Sequence, residues 1–138
     1  MTIFYKDQRL VHMSRNDAYI WSKFLELHET EYTNYRYDVR VGAGVKLDDS
    51  APDWLKKSAE NLSQKRIDVI ADDAKNVYVF EVRHNATAAV IGQLVCYVYL
   101  YRLKFNPIKP VIPIMVTDAA DADLVIAMRE LNLVYFIV

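Results

Sequence analysis

The sequence predicts an α/β domain in which a mixed central sheet is flanked by helices. Stretches with the period of a strand alternate with stretches that have the period of a helix, in the order helix, three strands, helix, strand, helix, strand. A mixed sheet packed between helices buries the apolar faces of such a series. The chain has 138 residues, which fits one domain over 1–138.

The first half of the chain contains one helix and one strand with clear periods. Apolar side chains recur at helical spacing over residues 16–29, and Ser14 and Asp17 offer N-cap oxygens at the start of this stretch. Residues 35–41 alternate between Tyr or Val and charged or polar residues, which predicts a half-buried strand. Residues 48–64 predict a loop and then a short helix with one apolar side.

The second half predicts a hairpin followed by a long helix and a buried strand. Strands over 66–71 and 77–83 flank a five-residue polar turn, and an apolar helix follows over 86–103. The continuous apolar run 111–116 predicts a strand covered on both faces, and Pro113 within it indicates a sheet edge or a bulge. The remaining elements are a helix over 119–131, capped by Thr117 or Asp118, and a final strand over 133–138.

The composition limits the classes of function. Lys and Arg number 17 and Asp and Glu number 18, so the formal net charge is −1. A protein that holds a long duplex usually has a basic excess, so this balance counts against strong stand-alone binding of nucleic acid. No stretch approaches the ~20 apolar residues of a membrane span, so we expect no membrane contact. The single cysteine, Cys96, is expected to be a buried thiol in the apolar helix of a protein suited to the reducing cytoplasm.

Three charged residues on the predicted hairpin form the candidate site. Side chains alternate along a strand, so Glu81 and Arg83 point the same way, and antiparallel pairing brings Asp68 next to Glu81. The two carboxylates and the carbonyl of Val82 are hard oxygen ligands that suit Mg²⁺ or Mn²⁺. The same spacing fits a cross-strand salt-bridge ladder worth roughly 0.2–1 kcal/mol per pair, and spacing alone leaves both interpretations open. The three histidines, His12, His28 and His84, lack the spacing of metal ligands.

The hairpin and the helix after it resemble the PD-(D/E)xK nuclease superfamily. Asp68 is similar to the metal-binding aspartate of that family and Glu81 to its second acidic ligand, while Gln93 and Tyr97 look like the Q-x-x-x-Y extension of some branches. The resemblance covers residues 16 to about 116. It implies a restriction-endonuclease-like αβββαβ core, Mg²⁺ or Mn²⁺ held by Asp68 and Glu81, and hydrolysis of phosphodiester bonds. It also implies catalytic roles for Asp68, Glu81, Arg83 and Gln93.

Arg83 departs from the family pattern, which usually has lysine at this position. Arginine stays protonated because its pKa is above ~12, so it cannot act as a base near neutral pH. Three interpretations follow: Arg83 stabilises developing charge, Lys65 or Lys23 reaches the site, or catalysis is lost and the fold retained. The resemblance further implies that Tyr97 and Lys65 contact substrate and that Glu26 is the acid some members carry on the first helix.

Two functions are therefore expected. The first is metal-dependent cleavage of nucleic acid in the cytoplasm, for which a symmetric homodimer is the simplest way to cut two strands. The second is a catalytically inactive nuclease-fold protein that serves as a structural or interaction subunit of a larger assembly, such as a phage or viral particle. Arg83, the near-neutral charge and the apolar run 134–138 at the end of the chain favour the second.

Overall fold

Within residues 8–138, which the computed structural model describes, strands and helices alternate along the chain. The strands are β1 (Thr33–Val41), β2 (Lys65–Asp72), β3 (Val77–Arg83), β4 (Val111–Thr117) and β5 (Val134–Ile137). The helices are α1 (Arg15–His28), α2 (Asp53–Ser63), α3 (Ala89–Phe105) and α4 (Ala122–Glu130). Short 3₁₀ turns occupy Gln8–Leu10 and Glu29–Glu31.

The sheet follows the order of the sequence, β1-β2-β3-β4-β5. The β1–β2 and β2–β3 pairs are antiparallel, whereas the β3–β4 and β4–β5 pairs are parallel and are connected through α3 and α4. Parallel neighbours need a crossover connection, and the helices supply it. The predicted class, a mixed sheet flanked by helices with an αβββαβ order, is confirmed.

Each face of the sheet has its own apolar core. On one face α1 inserts the fully buried Trp21 and Phe24, whose ring centroids lie 5.1 and 5.6 Å from that of Phe80 in β3. On the other face α3 and α4 contribute Leu94 and Met128, both fully buried. The helices thus cover both faces of the sheet beside β2 and β3, where the charged residues lie.

The start of α4 differs from the prediction. The helix begins at Ala122 because the side chain of Asp121 caps it, accepting a hydrogen bond of 2.8 Å from the N–H of Leu124. Asp118, one of the two predicted caps, instead accepts a hydrogen bond of 2.9 Å from the N–H of Asn85. The acid that sequence reasoning assigned to the helix therefore stabilises the turn that precedes α3.

Two helices leave apolar residues outside the core. Cys96 is exposed on α3, so the prediction of a buried thiol is wrong. The same helix exposes Val95 and Tyr99, because only one of its sides packs on the sheet. α2 has no buried residue, and its Trp54 is 70% exposed. None of the helices among residues 8–138 is both long enough and apolar enough to cross a bilayer.

Pro113 lies in an interior strand but next to a local gap in the sheet. β4 is paired with β3 along its whole length without a register shift, so the predicted bulge is absent from this pairing. β5 pairs only with the four residues from Ile114 to Thr117. The sheet thus has no fifth strand beside Pro113, which agrees with the other predicted alternative, an edge.

Candidate functional site

The acids of the hairpin meet where β2 and β3 pair. Val69 lies opposite Phe80, and continuing this antiparallel register places Asp68 opposite Glu81. The N–H of Val82 donates a hydrogen bond of 3.0 Å to Oδ2 of Asp68. Asp68 is 8% exposed and Glu81 is fully buried. The structure thus brings together the two carboxylates that the sequence predicts to converge.

The guanidinium of Arg83 spans both carboxylates. Its Nη1 donates hydrogen bonds to Oδ2 of Asp68 at 3.0 Å and to the carbonyl oxygen of Val82 at 2.8 Å. Its Nη2 lies 2.8 Å from Oε2 of Glu81. The salt-bridge ladder, one of the two interpretations of the spacing, is therefore the arrangement that the structure contains.

The buried position of Glu81 disfavours a negative charge on its carboxyl group. Burial, and after it the neighbouring carboxylate of Asp68, raise the pKa of Glu81 to about 8, although Arg83 opposes both effects. Nη2 of Arg83 is close enough for an ion pair, but it is not aligned for a hydrogen bond, and neither carboxylate oxygen of Glu81 accepts one from residues 8–138. Glu81 therefore keeps its proton to a higher pH than an exposed glutamate does.

Asp68 and Arg83 each shift the pKa of the other. Burial raises the pKa of Asp68, although the hydrogen bond from Val82 and the charge of Arg83 both act to lower it. Burial acts to lower the pKa of Arg83, but the carboxylates of Glu81 and Asp68 outweigh it, so the pKa of Arg83 is raised. Arg83 cannot lose its proton, so its guanidinium is the permanent charge at this site.

A small cavity opens beside the pair. It has a volume of about 230 Å³, and its wall includes Arg83, His84 and Gln93. Tyr97, one helical turn after Gln93, is buried, and its pKa is raised by burial and then by the Glu81 carboxylate. The structure thus places the predicted pair from α3 on the side of the sheet that carries the acids. Tyr101, one turn further along α3, belongs to the apolar core.

The turn between β3 and α3 closes one side of this cavity. The ring Nδ1 of His84 lies 2.6 Å from Oδ2 of Asp118. The hydrogen bonds that Asp118 accepts from Asn85 and His84 lower its pKa, although its partial burial acts in the opposite direction. A carboxylate that accepts two hydrogen bonds holds the turn in one conformation.

The structure separates Lys65 and Lys23 from the acids. Lys65 is exposed at the start of β2, three residues before Asp68 and therefore about 10 Å away along the strand. Nζ of Lys23 lies 5.5 Å from the centroid of the Tyr19 ring, on α1. In the described part of the chain neither lysine forms an ion pair with Asp68 or Glu81, so Arg83 is the cation that contacts the acids.

Two residues near the acids were missed by sequence reasoning. Asp17, in the first turn of α1, accepts a hydrogen bond of 2.8 Å from the N–H of His84, and its charge helps to raise the pKa of Asp68. His12 is 6% exposed at its side chain, and its Nε2 lies 3.7 Å from Oδ1 of Asp68. Neither ring nitrogen of His12 has a hydrogen-bond partner among residues 8–138. Asp17 offered a signal, since it is an acid at the start of the first predicted helix.

Glu26 is not the α1 acid beside the site. It is exposed on α1, nine residues and therefore about 13 Å along the helix axis from Asp17. The helical pattern placed both residues correctly on α1, but it did not show which end of the helix points at β3.

The arrangement does not fit a divalent cation while Arg83 stays in place. The oxygens such an ion would need, from Asp68, Glu81 and the Val82 carbonyl, are the oxygens that the guanidinium contacts. Metal–oxygen bonds of about 2.1 Å leave no room for a nitrogen between the ion and its ligands. Residues 8–138 contain no group of three or more His, Cys, Asp or Glu side chains arranged to hold a metal ion.

Comparison with known proteins places the fold among nucleases. No protein-family model and no curated protein matches the chain. A repair endonuclease from Pyrococcus abyssi superimposes with a TM-score of 0.53 at 15% identity, over 91% of this chain and 47% of that one. The EndoMS protein in a complex with double-stranded DNA superimposes with a TM-score of 0.51 at 17% identity, over 97% of this chain and 48% of that one. The chain therefore has a nuclease-like fold and spans about half the length of these endonucleases.

Proposed function

We propose that this chain is a PD-(D/E)xK-type domain that binds nucleic acid and, with Arg83 in the observed position, does not hydrolyse it. The observation that carries the proposal is the contact of one guanidinium with both carboxylates and with the carbonyl of Val82. A residue that stays protonated cannot activate water as a base, and here it also covers the acids. The shared fold with two endonucleases, one of them in a DNA complex, supports nucleic acid as the ligand.

Arg83 also supplies a contact for a phosphate. A third of its side chain, 33%, remains exposed beside the cavity. A planar guanidinium binds a phosphate through two parallel hydrogen bonds. Because the formal net charge of the chain is −1, we expect the binding to be weak and strongly reduced by salt.

Metal-dependent hydrolysis is the second candidate function. The observation in its favour is Glu81, whose buried oxygens accept no hydrogen bond from the described residues. In that function Arg83 turns away from the acids, Asp68 and Glu81 hold Mg²⁺ or Mn²⁺, and Gln93 lies beside the substrate. Lys65 remains the candidate for a contact to a more distant phosphate.

One pair of measurements separates the candidates. Fluorescence anisotropy at low salt measures binding of duplex, branched and single-stranded DNA and of RNA, and gel analysis with Mg²⁺ or Mn²⁺ measures cleavage. We expect binding without cleavage, weaker binding by Arg83→Ala, and unchanged binding by Arg36→Ala, which removes an arginine from a different ion pair. Cleavage that Glu81→Ala abolishes would establish the second candidate.

Absence of both binding and cleavage would reject nucleic acid as the ligand. It would leave the interaction subunit of a larger assembly, and sedimentation of the purified chain would then show whether it forms a homo-oligomer. The exposed apolar residues of α2 and α3 are the surface at which such contacts are expected.

A further inference from the structure

We infer that the guanidinium of Arg83 takes the place of a divalent cation at the Asp68–Glu81 pair, so that a metal ion enters only when this side chain is removed. The inference concerns metal binding by the folded chain, and it holds whether or not nucleic acid is the ligand. The misfit between this site and a divalent ion can therefore be measured as a difference in metal binding between the wild-type chain and a variant without Arg83.

The oxygens around the guanidinium of Arg83 are those that a divalent ion would use. Three oxygens from three different groups surround one guanidinium: a carboxylate oxygen of Asp68, a carboxylate oxygen of Glu81 and the main-chain oxygen of Val82. Convergence of hard oxygens from two acids and one carbonyl is the donor set of a magnesium or manganese site. Nη1 of Arg83 lies 3.0 Å from the Asp68 oxygen and 2.8 Å from the Val82 oxygen, and Nη2 lies 2.8 Å from the Glu81 oxygen.

The acidic groups around Arg83 need a positive charge. Asp17, Asp68 and Glu81 form a cluster of three carboxyl groups, and two of these groups are buried. Buried carboxylates need a cation nearby, because the attraction offsets the loss of hydration. Within the described residues Arg83 is the permanently charged cation in ion-pair contact with the buried acids, and His12 approaches only to 3.7 Å.

The ion pair between Arg36 and Asp72 in the same sheet differs from the contacts of Arg83. Arg36 bonds both oxygens of one carboxylate, Asp72, at 3.1 and 3.2 Å, and also reaches the hydroxyl of Tyr101 at 3.3 Å. This ion pair is partly exposed and involves a single carboxylate. Removal of Arg36 leaves one carboxylate near solvent, whereas removal of Arg83 leaves two buried acids and a carbonyl around an empty space.

The test measures Mn²⁺ binding by the loss of the free-ion signal in electron paramagnetic resonance. We expect Arg83→Ala to bind one ion in a Glu81-dependent way, at least about tenfold more tightly than the wild-type chain binds any ion at this site. The double variant Arg83→Ala/Glu81→Gln should lose this ion, and Arg36→Ala should behave like the wild type. Equal Mn²⁺ binding at this site by wild type and Arg83→Ala would overturn the inference, as would a folded Arg83→Ala that binds none.

A second variant covers the case in which Arg83→Ala does not fold. Lysine at this position keeps one positive charge but places it on a single compact ammonium nitrogen, which lacks the planar fork that lets the two Nη atoms of Arg83 reach different acids. We expect Arg83→Lys to fold and to gain a Glu81-dependent rise in melting temperature when Mn²⁺ is added. The inference fails if Mn²⁺ raises the melting temperature of the wild type and of Arg83→Lys equally.

Discussion

The backbone N–H of His84 donates a hydrogen bond of 2.8 Å to Oδ1 of Asp17, so the first turn of α1 is tied to the residue that follows β3. This contact crosses from the helix on one face of the sheet to the strand end that carries the charged cluster. It explains how an acid 51 positions earlier in the chain than Asp68 comes to influence the pKa of that residue.

Loss of this hydrogen bond should destabilise the fold modestly. We expect Asp17→Ala to lower the free energy of unfolding by about 1 kcal/mol, because the N–H of His84 loses its acceptor and the start of α1 loses a favourable charge. Asp17→Asn keeps an acceptor oxygen at the same place and is the matched control, with a smaller loss. Urea denaturation followed by circular dichroism measures both, and equal losses would show that the hydrogen bond contributes little.

Asp68 should be much more important for stability than a surface acid. Asp68→Ala leaves the buried N–H of Val82 without an acceptor and deprives Arg83 of a hydrogen-bonded partner, and we expect a loss of about 3 kcal/mol. The control is Glu60→Ala, which removes an exposed ion pair with Lys46 and should cost less than about 1 kcal/mol. The same denaturation experiment measures both, and similar losses would contradict the buried position of Asp68.

The raised pKa of Glu81 predicts how stability depends on pH. The folded chain holds the Glu81 proton up to a pH of about 8, whereas the unfolded chain releases it near the ordinary value of 4.5. Between these values the folded state binds more protons, so rising pH lowers the free energy of unfolding, by at most about 1.4 kcal/mol per pH unit from this group.

Glu81→Gln isolates this contribution, because glutamine resembles the protonated acid and does not titrate. Relative to Glu81→Gln, we expect the wild type to lose stability from pH 5 to pH 8 and to show no further relative change above about pH 8. Unfolding free energies of both proteins at several pH values provide the measurement. A constant difference across this range would mean that Glu81 ionises normally.

Cys96 should react as an exposed thiol. It lies on the uncovered side of α3, so we expect a thiol reagent to modify it completely in the folded chain without denaturant. Cys96→Ser should change the free energy of unfolding by less than about 0.5 kcal/mol, as for other surface substitutions. A thiol that reacts only after denaturant is added would show that this side of α3 is covered in solution.

The meeting of the two hairpin acids could be predicted from the sequence because it depends on local rules. Alternation along a strand fixes the face of Glu81, and the short turn between β2 and β3 fixes the register that brings Asp68 opposite. The position of the guanidinium could not be predicted in the same way. Arg83 has several rotatable bonds, and the choice between the acids, solvent and a substrate depends on burial that the sequence pattern does not give.

The site residues that the sequence did not reveal and the wrong prediction for Cys96 have a common physical cause. Asp17 and His12 approach Asp68 through the packing of a distant segment against the sheet, and such long-range placement leaves no local period in the sequence. Cys96 was assigned to the core because α3 is apolar nearly all round, so its period does not show which side faces the sheet. The apolar outer side of α3 is a feature that only the packing reveals.

A counter-ion that is covalently part of the chain cannot be removed by dialysis. The positive group between Asp68 and Glu81 is carried by β3 itself and is bonded to the carbonyl of the preceding residue, Val82. Its local concentration is therefore constant whatever the supply of ions outside. We expect a chelator such as EDTA to leave the unfolding transition of the wild-type chain unchanged.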